Sequence, residues 1–188
     1  MIICDLDYTI VNVNTTYDFL CYFYPVRYKI LSILLRPLVL ITNIIKIDIY
    51  KKVLTILCLK GKIKINLEII ANNYINFLIK NKAINNELLH VINNYKGKKI
   101  LLSASLEILV NCFLKMGFDY AISSKMYYQK DKFKNFSDLY GKKHILIEEL
   151  SKKFKNIIVI DDSPESEFFL LQNGVTILSP EEAIIFIG

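Results

Sequence analysis

Two carboxylates separated by a single residue follow a short apolar segment at the start of the chain. Residues 1–7 are predicted to form a short apolar strand, typical of a buried parallel sheet, that ends in the acids Asp5 and Asp7. Ligands bind at the carboxyl ends of such strands, so both acids are predicted to reach one site. In that site one carboxylate can attack phosphorus, while the other protonates the leaving oxygen and later deprotonates water. Acids this close also favour Mg²⁺, which offsets their repulsion.

Further polar residues occur in the order that this phosphoryl-transfer chemistry needs. Ser103 ends an apolar segment and is expected to donate its hydroxyl to a phosphate oxygen, although a helix cap is the alternative. Lys142 or Lys143 can bring a positive charge to the phosphate, although either can also be a solvated lysine. Asp161 and Asp162 follow four apolar residues, where adjacent acids are costly unless something positive meets them. They are predicted to complete an oxygen-rich magnesium shell.

The elements that must position these residues alternate between strand and helix in the second half of the chain. Helical spacing covers residues 106–115 and about 142–154, and residues 163–165 are typical of a helix start. The predicted strands after the first are residues 100–103, 120–123, 157–160 and 175–178. This alternation predicts an α/β fold with three layers, in which helices cover both faces of a parallel sheet.

Residues 14–95 break the alternation with long apolar stretches of helical spacing. We interpret them as an inserted helical module, and residues 1–13 and 96–188 as the core into which it is inserted. Within the module, residues 30–47 approach the length of a bilayer span. Arg36 and other polar residues interrupt them, so a buried or interfacial helix is expected rather than a span.

Composition excludes some classes of protein. Of the 188 residues, 53% are hydrophobic and 22% are charged, which excludes a disordered chain and fits one domain with an inserted module. The net charge of +6 suits nucleic acid, anionic lipid or a phosphorylated metabolite equally. The densest lysines surround Gly97 in an expected turn, which is typical of a solvated loop, so no nucleic-acid partner is predicted.

The cysteines and the first residues bear on the cellular compartment. The four cysteines show no paired metal-ligand spacing, so free thiols in a reducing compartment are expected. Met1 is followed directly by an apolar strand without a basic leader, so no secretory signal is expected. We therefore expect a cytoplasmic protein.

Together these residues resemble the motifs of the haloacid dehalogenase (HAD) superfamily, over the whole chain and in the family's order. The first motif, Asp-x-Asp-x-Thr, is matched by Asp5, Asp7 and Thr9. The resemblance implies that Asp5 is the nucleophile and a metal ligand, and that Thr9 belongs to the phosphate-binding set. It also implies that Asp7 is the acid/base and holds Mg²⁺ through its main-chain carbonyl.

The later motifs point to one branch of that family. Ser103 ends the second motif, and Ser103-Ala104-Ser105 resembles the phosphoserine-phosphatase-like branch. For the third-motif lysine we prefer Lys143 over Lys142. In the fourth motif Asp162 is the expected metal ligand with Asp161 behind it, and Glu165 or Glu167 supplies the downstream acid.

Two features of the resemblance concern access to the site. Tyr8 stands where the family often has glycine, which is expected to narrow the entrance or to add an aromatic contact. In this family an insertion after the first motif forms a helical C1-type cap, and residues 14–95 have that position and character. A cap of this kind excludes water and sets specificity.

The sequence therefore predicts a Mg²⁺-dependent phosphatase acting through an aspartyl-phosphate. The expected substrate is a small phosphomonoester, namely a phosphorylated amino alcohol, amino acid or sugar. One alternative is a membrane-associated lipid phosphatase of the phosphatidylglycerophosphatase type, whose cap makes peripheral membrane contact. Another alternative is a non-catalytic binding protein on the same fold.

Overall fold

One sheet organises the chain. The structure is a computed structural model that describes residues 1–40, 48–163 and 174–188. Its strands are β1 (Ile2–Cys4), β2 (Lys99–Leu106), β3 (Tyr120–Gln129), β4 (Lys132–Ser137), β5 (Ile157–Ile160) and β6 (Val175–Leu178). They form a six-stranded sheet in the order β4-β3-β2-β1-β5-β6, parallel except for β4. The predicted α/β fold with a parallel sheet is confirmed.

Helices cover both faces of this sheet. They are α1 (Thr15–Phe23), α2 (Pro25–Leu34), α3 (Ile49–Leu59), α4 (Lys64–Lys80), α5 (Asn86–Asn94), α6 (Glu107–Phe113), α7 (Lys143–Ser151) and α8 (Pro180–Ile187). Successive side chains of a strand point to opposite faces. Accordingly, Ile2 and Cys4 belong to the larger hydrophobic cluster and Ile3 to a smaller one on the other side. The core therefore has three layers.

The register of β1 brings the predicted site residues together. Cys4 lies beside Leu101 of β2 and Ile160 of β5. Because these strands are parallel, the residues that follow Cys4 and Ile160 emerge at the same edge of the sheet. Asp5 and Asp161 therefore become neighbours although 156 positions separate them along the chain.

The sheet differs from the sequence prediction at β3 and β4. The strand predicted to end at residue 123 continues to Gln129, and the chain then turns back as the antiparallel β4. The turn consists of Lys130 and Asp131, both with positive φ. Glycine or asparagine usually occupies such a two-residue hairpin turn. Without them the sequence carried no clear signal for this hairpin.

The five helices between β1 and β2, α1 to α5, are called the inserted helices below, and they pack against the core at several points. Phe19 of α1, Leu54 of α3 and Tyr74 of α4 are buried in the larger cluster. α3 contacts β4 and α4 contacts α6, whereas α5 packs against the last helix, α8. In the described ranges, no helix has both the length and the apolarity needed to cross a bilayer. Of the apolar segment 30–47, residues 41–47 lie outside the described residues.

Gly117, which ends a 3₁₀ turn after α6, has a conformation that favours glycine. Its φ is +112°, and an added Cβ would lie 1.6 Å from Oδ1 of Asn93. We expect Gly117→Ala to lower the free energy of unfolding by about 2 to 3 kcal/mol, from backbone strain plus this clash. Urea denaturation measures the change.

A matched pair of controls separates the two causes. Gly61 also has a positive φ, +78°, but an added Cβ there would meet no atom within 4 Å. Gly61→Ala should therefore cost only about 1 kcal/mol. In an Asn93→Ala background, the cost of Gly117→Ala should fall, because only backbone strain then remains. An equal cost in both backgrounds would show that the clash with Asn93 contributes nothing.

Candidate active site

A small cavity lies at the carboxyl edge of the sheet, just beyond the ends of β1 and β5 and beside residues 103 and 104 of β2. Its volume is about 190 Å³, and both the sheet edge and the inserted helices contribute to its wall. It is lined by Asp5, Asp7, Tyr8, Asn14, Thr16, Asp48, Lys51, Ser103, Ala104, Tyr140, Lys143 and Asp162. Residues predicted from four separate segments of the sequence thus share one cavity.

A buried lysine joins the ends of β1 and β5. Lys143 Nζ donates to Asp5 Oδ2 at 2.9 Å and to Asp161 Oδ2 at 2.7 Å. The three side chains are between 8% and 21% exposed, so water screens the attraction only weakly. Lys143 is the first residue of α7, whereas Lys142 caps that helix and is exposed. The geometry therefore favours Lys143 as the lysine of the site.

Burial and charge act on the pKa values of this cluster in opposite directions. Burial raises the pKa of Asp5 to about 7, against the lowering effect of Lys143 and with a further rise from Asp161. Burial alone lowers the pKa of Lys143, but the two carboxylates outweigh it and raise that pKa above its ordinary value. For Asp162, burial and then the charge of Asp161 raise the pKa. When ionised, the three acids carry more negative charge than the one ammonium of Lys143 neutralises.

This surplus of negative charge suits a hard cation. Carboxylate oxygens of Asp5, Asp161 and Asp162 lie within 4.8 Å of one another. Such oxygens are the ligands that Mg²⁺ prefers. Asp162 is the exposed member and lines the cavity, whereas Asp161 is buried and accepts a hydrogen bond from Ser163 N at 3.0 Å. The donor set therefore fits Mg²⁺, and both aspartates of the pair belong to it.

Hydroxyl and amide donors hold the carboxylate of Asp7. Its Oδ1 accepts from the amide of Thr15 at 3.0 Å and from the Thr15 hydroxyl at 2.7 Å. Its Oδ2 accepts from Ser105 Oγ at 2.8 Å, and the hydroxyl of Thr16 in turn donates to Ser105 Oγ at 3.2 Å. Thr15 and Thr16 begin α1, so the first inserted helix holds one of the two predicted catalytic acids.

Tyr8 adopts the left-handed conformation, with a φ of +59°. L side chains are disfavoured there, by about 1 kcal/mol, and glycine is not. This explains physically why the position often carries glycine in the family that the motifs resemble. The Tyr8 side chain is 57% exposed and lines the cavity, as expected for a residue at its entrance.

Of the remaining predicted residues, Ser103 lines the cavity, whereas Thr9 does not. Ser103 is buried, lines the cavity and accepts a hydrogen bond from the amide of Ser105 at 3.2 Å. Thr9 is buried, and among the described residues its hydroxyl has no hydrogen-bond partner. Glu165 and Glu167 lie outside the described residues, so the choice of downstream acid stays a prediction.

Sequence reasoning missed a buried ion pair beside the cavity. Lys51 of α3 donates to Asp138 Oδ1 at 2.7 Å and to the carbonyl of Ala104 at 3.1 Å. The two charged side chains are only 5% and 10% exposed. Asp138 Oδ1 also accepts from Ser124 Oγ, whereas its buried Oδ2 has no partner among the described residues. Lys51 therefore ties an inserted helix to the backbone beside Ser103.

Comparisons with known proteins bear on the fold. No family model matches the sequence, and no curated protein matches it significantly. Among solved structures, the chain is similar to a protein of unknown function from Bordetella pertussis Tohama I, with a TM-score of 0.69 and 11% identity over 96% of this chain and 98% of that one. It is also similar to a phosphoserine phosphatase from T. onnurineus, with a TM-score of 0.58 and 12% identity over 100% and 93%.

A third similar structure carries the family name. It is a HAD family hydrolase from Salmonella enterica serovar Typhi, with a TM-score of 0.57 and 18% identity over 86% of this chain and 55% of that one. At such identities the likeness concerns the fold. The chain thus shares its fold with HAD family hydrolases and phosphoserine phosphatases.

The raised pKa of Asp5 predicts a pH-dependent cost to stability when Mg²⁺ is removed. The pKa of about 7 lies above the ordinary 3.8, so ionisation is harder in the folded state. The cost begins near pH 4 and is complete above about pH 7. Asp5→Asn removes it and leaves Lys143 paired with Asp161. With a chelator at pH 8, the variant should therefore be more stable than wild type by about 1 to 3 kcal/mol.

Thermal unfolding between pH 4 and 8 measures this difference. The advantage of the variant should shrink as the pH falls and vanish near pH 4. Added Mg²⁺ should stabilise wild type more than Asp5→Asn, because the variant lacks one of the carboxylates that would bind the ion. Asp131→Asn, in the exposed hairpin turn, is the matched control and should show neither effect. An advantage that does not change with pH would contradict the assignment to Asp5.

The ion pair between Lys51 and Asp138 predicts strong coupling. Lys51→Met should lower the free energy of unfolding by about 3 kcal/mol, because it leaves a buried carboxylate without its cation. Lys51→Met combined with Asp138→Asn should recover at least half of the loss. Urea denaturation of the double-mutant cycle measures the coupling. Additive effects would mean that the pair does not contribute as a pair.

Proposed function

From the HAD fold and the site at its sheet edge, we propose that the chain is a Mg²⁺-dependent phosphatase that acts through an aspartyl-phosphate. The observation that carries the proposal is the bridge from Lys143 to Asp5 and Asp161, with Asp7 at the same edge. The bridge fixes one carboxylate oxygen of the nucleophile and offsets its charge. That arrangement suits attack on a phosphate ester.

In the first step the Asp5 carboxylate attacks phosphorus. The bond from phosphorus to the ester oxygen breaks as the bond to the Asp5 oxygen forms, and the leaving oxygen takes a proton from Asp7. Among the described contacts Lys143 holds only Oδ2 of Asp5, so Oδ1 is available for attack. Asp7 accepts three hydrogen bonds, only one of them on Oδ2, so a lone-pair position on Oδ2 is left for the proton that it gives to the leaving oxygen.

In the second step water regenerates Asp5. Asp7, now ionised, takes a proton from the water, whose oxygen attacks phosphorus and releases inorganic phosphate and the Asp5 carboxylate. The hydroxyls of Thr15 and Ser105 fix the direction in which Asp7 accepts that proton. The buried Ser103 lines the cavity, where its hydroxyl can donate to a phosphate oxygen.

Asp5, Asp161 and Asp162 would hold Mg²⁺ with the Asp7 carbonyl. When bound, the ion supplies positive charge that offsets the phosphate and the carboxylates. The raised pKa of Asp5 supports this assignment, because the metal-free cluster favours protonation of the very group that must attack as an anion. Among the described residues, Lys143 is the only cation in an ion pair with these acids.

The cavity favours a small substrate. A volume of about 190 Å³ holds a phosphoryl group and a short alcohol but not a drug-sized ligand, which needs roughly 300 Å³ or more. Asp48 and Lys51 line its wall from the inserted helices, which we assign the role of a cap. A phosphorylated amino alcohol, amino acid or sugar fits these requirements. Phosphoserine is the first ester to test, since phosphoserine phosphatases have similar folds.

A lipid-borne phosphomonoester is the second candidate substrate. It is favoured by the exposed apolar residues of α2, which is part of the same set of inserted helices. Such a substrate would place only its phosphorylated head group in the cavity.

Phosphate release from a panel of phosphomonoesters tests the proposal. Turnover should require Mg²⁺, and Asp5→Asn should lower kcat by at least about 10³-fold, because the nucleophile is lost. Asp131→Asn is the control and should keep wild-type activity. If Asp5→Asn turned over as fast as wild type, the mechanism would be refuted. Activity on vesicle-borne esters, without turnover of soluble ones, would favour the lipid-borne substrate.

Asp7→Asn distinguishes the two steps within the same experiment. With p-nitrophenyl phosphate the leaving group needs no proton, so the first step should persist and release about one nitrophenolate per enzyme in a burst. Slow turnover should follow, because water no longer loses a proton to Asp7. A uniform loss with no burst would assign Asp7 a positioning role instead.

A further inference from the structure

Helix α2 is apolar yet has no buried residue. Val26, Ile30, Ile33 and Leu34 are between 54% and 73% exposed. An isolated exposed apolar residue is normal on a protein surface, but several on one helix mark an interaction site. Their exposure therefore indicates that a partner covers this face of α2.

The exposed residues form one stripe, opposite the face that holds the helix in place. Tyr28, Leu31 and Leu35 are spaced by three and four positions, are partly buried and pack against the main cluster. The spacing of Val26, Ile30, Ile33 and Leu34 puts them on the other side of the helix. The apolar stripe therefore points directly away from the protein.

Cations border the stripe on both sides. At 3.6 residues per turn, Arg27 lies along one edge and Lys29 along the other, and Arg36 follows in the turn after α2. All three are exposed, and the sequence from residue 19 to residue 47 contains no acidic residue. An apolar stripe flanked by arginine and lysine is the arrangement of helices that lie in the interface of an anionic membrane. A second copy of the chain would bring like charges together instead.

The inner face of α2 also lies near the entrance to the active site. A groove of about 350 Å³ extends from Tyr8, at the entrance to the cavity, to Tyr28 on the inner face of α2. A surface that receives α2 would therefore lie close to that entrance. Binding at this position is therefore a role that can offset the cost of exposing the stripe to water.

We propose that α2 is a membrane-docking helix, which lies on an anionic phospholipid bilayer with Val26, Ile30, Ile33 and Leu34 among the acyl chains. Arg27, Lys29 and Arg36 then contact the lipid phosphates. The proposal does not depend on the proposed catalytic activity, since docking involves no residue of the reaction.

Sedimentation with vesicles tests it on the intact chain. The protein should bind vesicles of phosphatidylglycerol and phosphatidylcholine at least tenfold more tightly than vesicles of phosphatidylcholine alone, and added salt should weaken the binding. Ile30→Asn with Leu34→Asn should lower the affinity for anionic vesicles at least tenfold. Arg27→Gln, Lys29→Gln and Arg36→Gln together should lower it by roughly 100-fold, since each basic residue contributes about a fivefold factor.

A matched control uses the exposed apolar residues of α8. Ile185→Asn with Phe186→Asn removes a comparable apolar area far from α2 and should bind vesicles as wild type does. Equal binding by the α2 and α8 variants would overturn the proposal, as would wild type that ignores anionic vesicles. Sedimentation velocity tests the alternative, in which a second copy of the chain binds the stripe. A dimer that dissociates in Ile30→Asn/Leu34→Asn, without vesicle binding by wild type, would assign the stripe to a second copy.

Discussion

The buried ammonium of Lys143 is the interaction on which the site depends. Parallel pairing of β1 with β5 brings Asp5 and Asp161 to one edge of the sheet, where their charges repel at low dielectric. Lys143, at the start of α7, contacts both carboxylates and so offsets the repulsion that the sheet register creates. Burial nevertheless raises the pKa of Asp5, and the lowering effect of Lys143 offsets that rise only in part. A site built in this way is prepared for a further cation and an anionic substrate.

Buried polar contacts then connect this edge to the inserted helices. Asp7 is held by the start of α1 through Thr15, and Lys51 of α3 reaches the carbonyl of Ala104, next to Ser103. A shift of these helices would therefore change the donors on Asp7 and the backbone beside Ser103. In this way hydrogen bonds couple helix position to the proton transfer that we propose for Asp7, without any need for a distant signal.

The predictable residues were those whose position follows from a strand end. Asp5, Ser103 and Asp161 follow apolar runs, and the parallel sheet by itself brings such residues together. The choice between Lys142 and Lys143 needed the direction of each side chain from α7, which sequence spacing does not specify. Contacts such as Lys51 with Asp138 depend on how α3 packs against the core. The hairpin after β3 was missed because its turn lacks the usual residues.

The cavity and the neighbouring surface meet at Tyr8, and they make opposite demands on a ligand. The cavity is small and lined by charged groups, whereas the groove beyond Tyr8 leads to a helix with an apolar outer stripe. A small hydrophilic ester uses the cavity alone and leaves the stripe without a role in binding. A phosphorylated head group on an apolar tail uses both, with the left-handed Tyr8 at the junction. The exposed stripe is costly in water and belongs to a helix whose inner face borders this groove, which is a physical reason to test esters presented at a membrane surface.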